Sequence, residues 1–440
     1  MACAPRIVIV GVWHGGMHVA LRLKRLLRPG EATVTVVDAH AYMTYQPLLA
    51  EAAAGSLEPR HVVVPLRQAL PWAQIITRQV LSLDHAQRTV YLRSTEGSPS
   101  PLRYDRLVWA PGSVSRLLPV PGLAEHGNGF KTVAEAIHLR NQVLGRLDAA
   151  AATSSAERRA AALTFVFVGG GFAGVEALAE LQDMAHDACA RYPELDPRAQ
   201  RWILVEAADR ILPEVGQQLS RYTADLLRRR GIDVRLGTRL LSAEGVRIRL
   251  DDGTEFDADT LVWTAGVAPS PLNRRTDLPL DERGRVRTTA FLSVVDTEDA
   301  WAVGDCAAVP DLAAGQGELC PPSAQHAVRQ ARVTARNVVA SLRSGEPVAY
   351  RHASVGTVAS LGLYQGAAEI RGVRLRGFPA WFAHRSYHLS QLPSANRRLR
   401  VVADWTLALF FPREIVSLAS LEHTHDDFAS AADQARPPEP

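Results

Sequence analysis

One local pattern occurs twice in this chain and limits the folds open to it: an apolar strand, a glycine turn, a helix, and a second strand ending on a carboxylate. The first copy runs Arg6-Ile-Val-Ile-Val10 into Gly11, Gly15 and Gly16, continues as a helix over 15–27, and closes with a strand over 32–37 that ends at Asp38. The second runs Leu163-Thr-Phe-Val-Phe-Val168 into Gly169, Gly171 and Gly174, continues as a helix through residue 190, and closes with a strand over 201–205 that ends at Glu206. Continuous apolar runs of this kind suit strands buried on both faces of a parallel sheet. A strand, a helix and a parallel strand make a βαβ unit. Two further segments, 104–112 and 257–266, match each other as strands running into a turn at Gly112 and Gly266. Residues 299–305, Asp-Ala-Trp-Ala-Val-Gly-Asp, follow both copies, so the first unit is interrupted by the second and resumes near residue 295.

In the second copy G-x-G-x-x-G is complete, and each glycine has its own reason. Gly169 permits the tight turn, Gly171 lets the backbone approach a diphosphate, and Gly174 lets the helix pack close to the strand. The helix N-terminus adds unpaired N–H groups and the positive end of its dipole. Glu206 stands where a carboxylate accepts from a ribose 2′-hydroxyl and repels a 2′-phosphate, which favours NADH over NADPH. The long Gly-to-Glu separation predicts a helical insertion over 183–198. The first copy keeps Gly11 and Gly16 in register but carries Trp13 at the central position. An indole there projects where a diphosphate oxygen would lie. Either this site no longer binds, or a distorted turn uses the Gly15-Gly16 pair, with Asp38 still at the ribose position. A lone glycine motif is weak; the strand, helix and acid around it make nucleotide binding the better reading. The expected fold class is α/β, with two Rossmann-like dinucleotide-binding domains, the second inserted in the first, and a C-terminal α+β region. The expected boundaries are 1–130 with 295–345, then 131–294, then 346–423. Residues 41–70 read as irregular, 133–160 as helical, and 424–440 as a polar, disordered tail.

At 440 residues the chain exceeds a single core, so two or three domains are expected. Apolar residues make up 47% and charged residues 22%, the balance of a folded protein. A net charge of +3 and an isoelectric point near 8.7 suit anionic cofactors or an anionic membrane surface. No dense Lys/Arg block with interleaved aromatics occurs, which argues against nucleic acid. Lys24 and Lys131 are the only lysines, a composition bias rather than a functional signal. The cysteines, Cys3, Cys189, Cys306 and Cys320, form no C-x-x-C pair, and isolated thiols suit a reducing cytoplasm. The first apolar run is a strand ending in glycines rather than a signal peptide, and no run is long enough to span a bilayer. His14 and His18 stand at a metal-ligand spacing, but the sequence offers no third ligand, so no metal is expected.

These pieces in this order resemble the two-dinucleotide-binding-domain flavoproteins, and more narrowly the type II NADH dehydrogenases, the non-pumping NADH:quinone oxidoreductases. The resemblance covers residues 5–420. It rests on Gln46-Pro47-Leu48-Leu49 followed by Ala54-Gly55-Ser56-Leu57-Glu58-Pro59, and on Phe167 to Glu176 around the intact turn. It rests also on Trp263-Thr264-Ala265-Gly266-Val267, Ala302-Val303-Gly304-Asp305 and Ala324-Gln325-His326-Ala327-Val328-Arg329-Gln330. The family's quinone-site motif in that last run reads Ala-Gln-x-Ala-x-Gln-Gln; this chain keeps Ala324, Gln325, Ala327 and Gln330 and carries Arg329 for one glutamine.

The resemblance implies FAD in the first domain and NADH in the second. It implies that Gly304 and Asp305 hold the flavin; the cofactor-binding candidates beside them are Gly11, Gly15, Gly16, Asp38, Gln46 and Gly112, and Gly169, Gly171, Gly174, Glu206 and Gly266. It places Glu176 near the nicotinamide and flavin rings, with Gln325 and Gln330 toward the quinone. The implied activity is hydride transfer from NADH to the flavin and then reduction of a membrane quinone or another small-molecule acceptor. The cofactor supplies the chemistry and the protein supplies position and electrostatics. The missing cysteine pair argues against the disulfide-reductase branch. Over 397–416, Arg397, Arg398, Arg400 and Arg413 flank Val401, Val402, Trp405, Leu407, Leu409, Phe410, Phe411 and Ile415, the pattern of an amphipathic segment lying on a membrane surface. The alternative is an ordinary dimer or core helix, and Asp404 suits either. A homodimer, peripheral on the inner face of the cell membrane, is expected. The rival function is a divergent paralogue with an altered FAD site, acting as a nucleotide-binding or redox-sensing protein or oxidising another substrate; Trp13 and Arg329 motivate it.

Overall fold

The structure, a computed structural model, describes residues 4–95, 97–315, 317–354 and 356–417. The duplication becomes two five-stranded parallel sheets. In the first, the order is Ala300–Ala302, Arg106–Trp109, Arg6–Val10, Thr33–Asp38, Gln74–Thr77, with Ile7 paired to both Val34 and Arg106. In the second it is Gly127–Gly129, Thr260–Trp263, Thr164–Val168, Arg201–Glu206, Ile232–Leu236, with Phe165 paired to Trp202 and Thr260. Four of the strands match one for one, while the edge strand named first comes last along the chain in the first unit and first in the second. Ala300–Ala302, made after the whole second sheet, lies on the edge of the first, so the second unit is an insertion in the first.

The likeness goes further than the glycine turns. Each unit carries a three-stranded antiparallel meander at the same point of its chain: Val80–Asp84, Thr89–Leu92 and Ser100–Arg103 in one, Leu240–Glu244, Arg247–Leu250 and Glu255–Asp257 in the other. The crossings between units lie side by side, Ser113–Ser115 pairing antiparallel with Val267–Pro269. After residue 350 comes a three-stranded antiparallel sheet, Gly356–Ser360, Gly366–Ile370 and Val373–Arg376, followed by helices Phe378–Gln391 and Ala395–Leu407.

Three expectations change. Residues 41–70 are not irregular: Tyr42–Thr44 pairs antiparallel with Val63–Pro65, and helix Leu49–Ala53 sits between them, every residue of it buried. The extra length before Glu206 is only partly helical: helix Phe172–Cys189 has 18 residues against 13 in His14–Leu26, and beyond it a loop with the short turn Pro197–Ala199 follows. The helical stretch 133–160 is two helices, Val133–Ala152 and Ala156–Ala162, each capped by its own residue, Thr132 with Glu135 in a capping box and Ser155.

The 397–416 segment also differs. It is helix only to Leu407, with Arg398 and Arg400 exposed and Arg397 half-buried, while Asp404 and Arg413 turn inward. Asp404 accepts from the Glu58 N–H at 3.1 Å and lies 2.6 Å from His61 Nδ1. Arg413, expected as a basic flank, is buried against Glu180, Asp183 and Asp187 of helix Phe172–Cys189 at 3.6–3.8 Å. The carbonyl of its neighbour Glu414 accepts from Arg140 at 2.6 Å. Exposed apolar side chains run from the helix, Leu399 at 71% and Leu407 at 55%, into the turn beyond it, Leu409 at 61%, Phe410 at 76% and Phe411 at 64%. No described helix is long and apolar enough to cross a membrane. The expected tail over 424–440 lies outside the described residues.

Candidate functional site

The two glycine turns share one geometry. Gly11 and Gly169 have φ of +88° and +114°, the left-handed region glycine favours. At Gly16 and Gly174 a Cβ would overlap the carbonyl oxygen of Gly11 and of Gly169, so both helices start in contact with their strands. In each unit the strand-end carboxylate braces the turn. Asp38 accepts from the N–H groups of Val12 at 2.9 Å and His40 at 2.8 Å. Glu206 accepts from Gly170 at 2.5 Å and Ala208 at 2.8 Å. Burial raises the Asp38 carboxyl, and the N–H groups of His40 and Val12 oppose that shift.

The turns part company only at the central position. Trp13 and Gly171 hold nearly the same backbone, φ −63° with ψ −173° against φ −74° with ψ 178°, a conformation any residue adopts. Around Gly171 a Cβ would meet nothing within 4 Å. That vacant room is what a diphosphate needs, and at position 13 an indole stands in it. The indole lies against Gly112, with its Cδ1 3.0 Å from where a Cβ would be, and the ammonium of Lys131 stands 5.5 Å from its ring.

Around Trp13 the flavin-side residues converge. Asp305 accepts from the Ser113 hydroxyl at 2.7 Å, and Lys131 Nζ donates to the same hydroxyl at 2.9 Å. Burial lowers the Lys131 ammonium, opposed by Asp305 and Glu135. Gln46 donates to the Lys131 carbonyl at 2.9 Å. Gln330 is buried, and its side-chain oxygen accepts from the Gly304 N–H at 2.8 Å, so it fixes the Gly304-Asp305 turn. Gln325 lies on the first turn of the same helix, Ala324–Leu342, and donates to the Gly356 carbonyl at 3.3 Å. Arg329 Nη1 donates to the Gln325 carbonyl at 3.1 Å. Gly266 has φ +93° in open space at the head of the Val267–Pro269 crossing.

The donor set fits a flavin dinucleotide: Asp38 for a ribose, the N–H groups at Gly15 and Gly16 for the diphosphate, Asp305 for a ribityl hydroxyl. A Cβ at Gly15 or Gly16 would meet Val303 or Gly11 rather than the indole, so the helix N-terminus is clear on that side. Room is scarcer. The cleft that Trp13, His14 and Gly15 line with Gly304, Asp305, Ala324 and Ala327 measures about 30 Å³. Wider cavities open to either side, about 380 Å³ along Trp13, Lys131 and Trp263, and about 560 Å³ along Arg116, Arg283, Gly304 and His326. The Trp13 indole borders both the narrow cleft and the 380 Å³ cavity beside it.

Glu176, given to the meeting point of two rings, meets the C-terminal unit. It is buried, accepts from the Ser360 N–H at 2.9 Å, and pairs with His384 Nε2 at 3.2 Å. His384 stacks edge-on against His388 at 4.5 Å, and His388 Nδ1 lies 3.2 Å from the Tyr45 hydroxyl. The Tyr45 ring touches His14, 5.6 Å away, whose Nε2 is buried with no hydrogen-bond partner among the described residues. Burial would lower His384, but its pairing with Glu176 and the charges of Glu51 and Glu180 carry it above the usual range. Burial pushes His14 down to about 3 and His388 well below its ordinary value, so both rings are neutral. Beside this row, Glu51 accepts from Arg385 at 2.8 Å and from the Trp405 indole at 2.7 Å. Burial raises Glu180 to about 7 against the charge of Arg413. Tyr45, His384, His388, Lys131 and Ser113 carry no local sequence signature. His18 Nδ1 lies 2.8 Å from the His14 carbonyl.

Known proteins resemble this chain in sequence and in fold. The profile of the pyridine nucleotide-disulphide oxidoreductase family matches residues 5–331. A type II NADH:quinone oxidoreductase of Mycobacterium tuberculosis is 28% identical over 423 residues, 93% of this chain and 89% of its own length. A demethylphylloquinone reductase of Synechocystis is 30% identical over 411 residues, 91% of this chain and 95% of its own. Among solved structures, the NDH2 of Plasmodium falciparum aligns over 94% of this chain and 100% of its own with a TM-score of 0.86, at 17% identity, a likeness of fold alone.

Proposed function

The chain belongs to the pyridine nucleotide-disulphide oxidoreductase family, and from that premise we propose that it oxidises NADH and reduces a quinone, with FAD as its resident cofactor. The observation that carries the proposal is the pair of matched glycine turns, each braced by a strand-end carboxylate, in one chain whose full-length relatives are named as quinone reductases. Those relatives lend no support to the non-catalytic alternative.

NADH is assigned to the turn at Gly169, Gly171 and Gly174. The N–H groups of that helix start take the diphosphate, and Glu206 takes the ribose. FAD is assigned to Gly11, Gly15, Gly16, Asp38, Gln46, Gly112, Gly304 and Asp305, and when bound it supplies two-electron acceptance from NADH and delivery to the quinone. Gln330 holds Gly304 and acts on that site by positioning, and Gln325 stands nearer the open side. Glu176 and its partner His384 form the polar wall at the junction of the three units. The exposed turn Leu409-Phe410-Phe411, with Phe378 at 55% and Phe382 at 60%, is assigned to the membrane surface, on the inner face of the cell membrane. A homodimer belongs to the same proposal.

Purified protein is expected to be yellow and to oxidise NADH with a soluble quinone. A colourless protein that cannot be reconstituted with FAD overturns the reading. The indole of Trp13 bears on this directly. Its contact with Lys131 is worth about 0.5–2 kcal/mol, so Trp13→Gly should tighten FAD binding by roughly 2- to 30-fold. Flavin fluorescence quenching in titrations of the two proteins measures it, and unchanged or weaker binding would mean that the indole is part of the site.

A further inference from the structure

We infer that Asp311, Cys320 and His326 form a binding site for a zinc-class divalent cation that clasps the start of helix Ala324–Leu342. Their ligand atoms all lie within 4.8 Å of one another. A thiolate, an imidazole and a carboxylate together are the donor set of zinc rather than of calcium or magnesium, which take oxygen.

The arrangement is held from outside on every arm. Asp311 and Cys320 stand at the mouth of one loop, which is closed by Asp311 N–H donating to the Glu318 carbonyl at 2.8 Å and Cys320 N–H to the Val309 carbonyl at 2.9 Å. One oxygen of Asp311, Oδ1, accepts from the N–H groups of Ala313 at 3.0 Å and Ala314 at 3.3 Å, which orients the carboxylate and leaves Oδ2 for another partner. From Cys320 to His326 the chain runs through Pro321 and Pro322 to Ser323, whose hydroxyl accepts from the His326 N–H at 3.1 Å. Two prolines and a cap leave that arm little freedom, so the thiol and the ring keep their spacing. His326 Nδ1 lies 2.8 Å from the Tyr350 hydroxyl, the outer partner that fixes the ring of a metal-bound histidine.

A second, independent observation points to the same place. The ring of His352 stands edge-on to His326 at 5.7 Å, and its Nε2 is buried with no partner among the described residues. It is the candidate for the fourth position, with water as the alternative occupant. The 560 Å³ cavity reaches Cys320 and His326, which gives an ion a way in. Charge also balances. Arg285 stands near Cys320, and Arg329 acts on both imidazoles, but a carboxylate and a thiolate together neutralise a divalent ion. Without metal the thiol is protonated, since burial pushes it up to about 11; coordination forms the metal–sulfur bond and releases that proton to solvent.

The test uses the full chain, stripped with a chelator and dialysed against cobalt(II) as the optical probe or zinc(II) for metal analysis. The expected result is stoichiometric metal, a thiolate-to-cobalt charge-transfer band, and a raised melting midpoint with zinc. Cys320→Ser should lose the band and His326→Gln should lower affinity at least tenfold, whereas Cys189→Ser, at a buried thiol elsewhere, should keep both. Asp311→Asn serves if Cys320→Ser fails to fold, and it too should lose at least tenfold. No retained metal in the parent chain, or an undiminished band in Cys320→Ser, overturns the inference.

Discussion

Replacing Gly171 by tryptophan is expected to weaken NADH binding on the order of 100-fold or more while barely moving the melting midpoint. The first turn already shows that an indole is compatible with this backbone, since Trp13 and Gly171 share their dihedral angles. At Gly171 a Cβ meets nothing within 4 Å, so the protein loses no packing. What is lost is the room for the diphosphate. Hydrogen bonds from helix N–H groups to charged oxygens are worth about 1.5–3 kcal/mol each, and losing two gives roughly 100-fold to 20,000-fold. NADH titration of the variant, alongside a thermal melt, decides the matter. Parent-like affinity would mean that the nucleotide lies elsewhere. The same result would remove the ground for treating Trp13 as an obstacle in the other turn.

The largest stability effect is expected at Glu51, which is 1% exposed. Its carboxylate accepts from Arg385 and Trp405, and the Arg385 guanidinium lies over the rings of Trp381 at 3.9 Å and Trp405 at 4.8 Å. Glu51→Ala strands that guanidinium in a buried, aromatic setting, which costs about 3–5 kcal/mol. Glu51→Leu with Arg385→Met should recover most of the loss, because two apolar side chains leave no unpaired charge. Denaturant midpoints of the single and double variants provide the measurement. A double variant as unstable as Glu51→Ala would show that the pair acts through something other than buried charge.

The sequence was most legible where structure is local. Strand, glycine turn and strand-end acid lie within one βαβ unit, so Gly11, Asp38, Gly169 and Glu206 were readable from spacing alone. The insertion of one unit in the other was readable too, because Ala300–Ala302 repeats the apolar run of a sheet strand. The C-terminal unit was read less well. Arg413 looks like a surface cation because its partners, Glu180 and Asp183, lie more than two hundred residues earlier. Asp404 looked ambiguous until His61 appeared beside it. His384 and His388 have the spacing of any helix, and only the fold brings them to Glu176 and Tyr45. The motif points Gln330 toward the quinone, and only the fold shows that its side-chain oxygen accepts from the Gly304 N–H. The Asp311 cluster joins a loop to a helix, a distance that no ligand-spacing pattern spans.

The placement of Ala300–Ala302 has a consequence for the order in which the protein is made. The sheet begun by the first residues stays one edge strand short until residue 302 has been synthesised, and the second sheet, complete by residue 263, is the unit able to fold first. Glu51 waits longer still, because Arg385 and Trp405 come near the end of the chain. Domains fold as units during synthesis, generally from the N-terminus. Here the nested topology reverses that order: the half translated first matures last, with its buried carboxylate open to water until the final helices arrive.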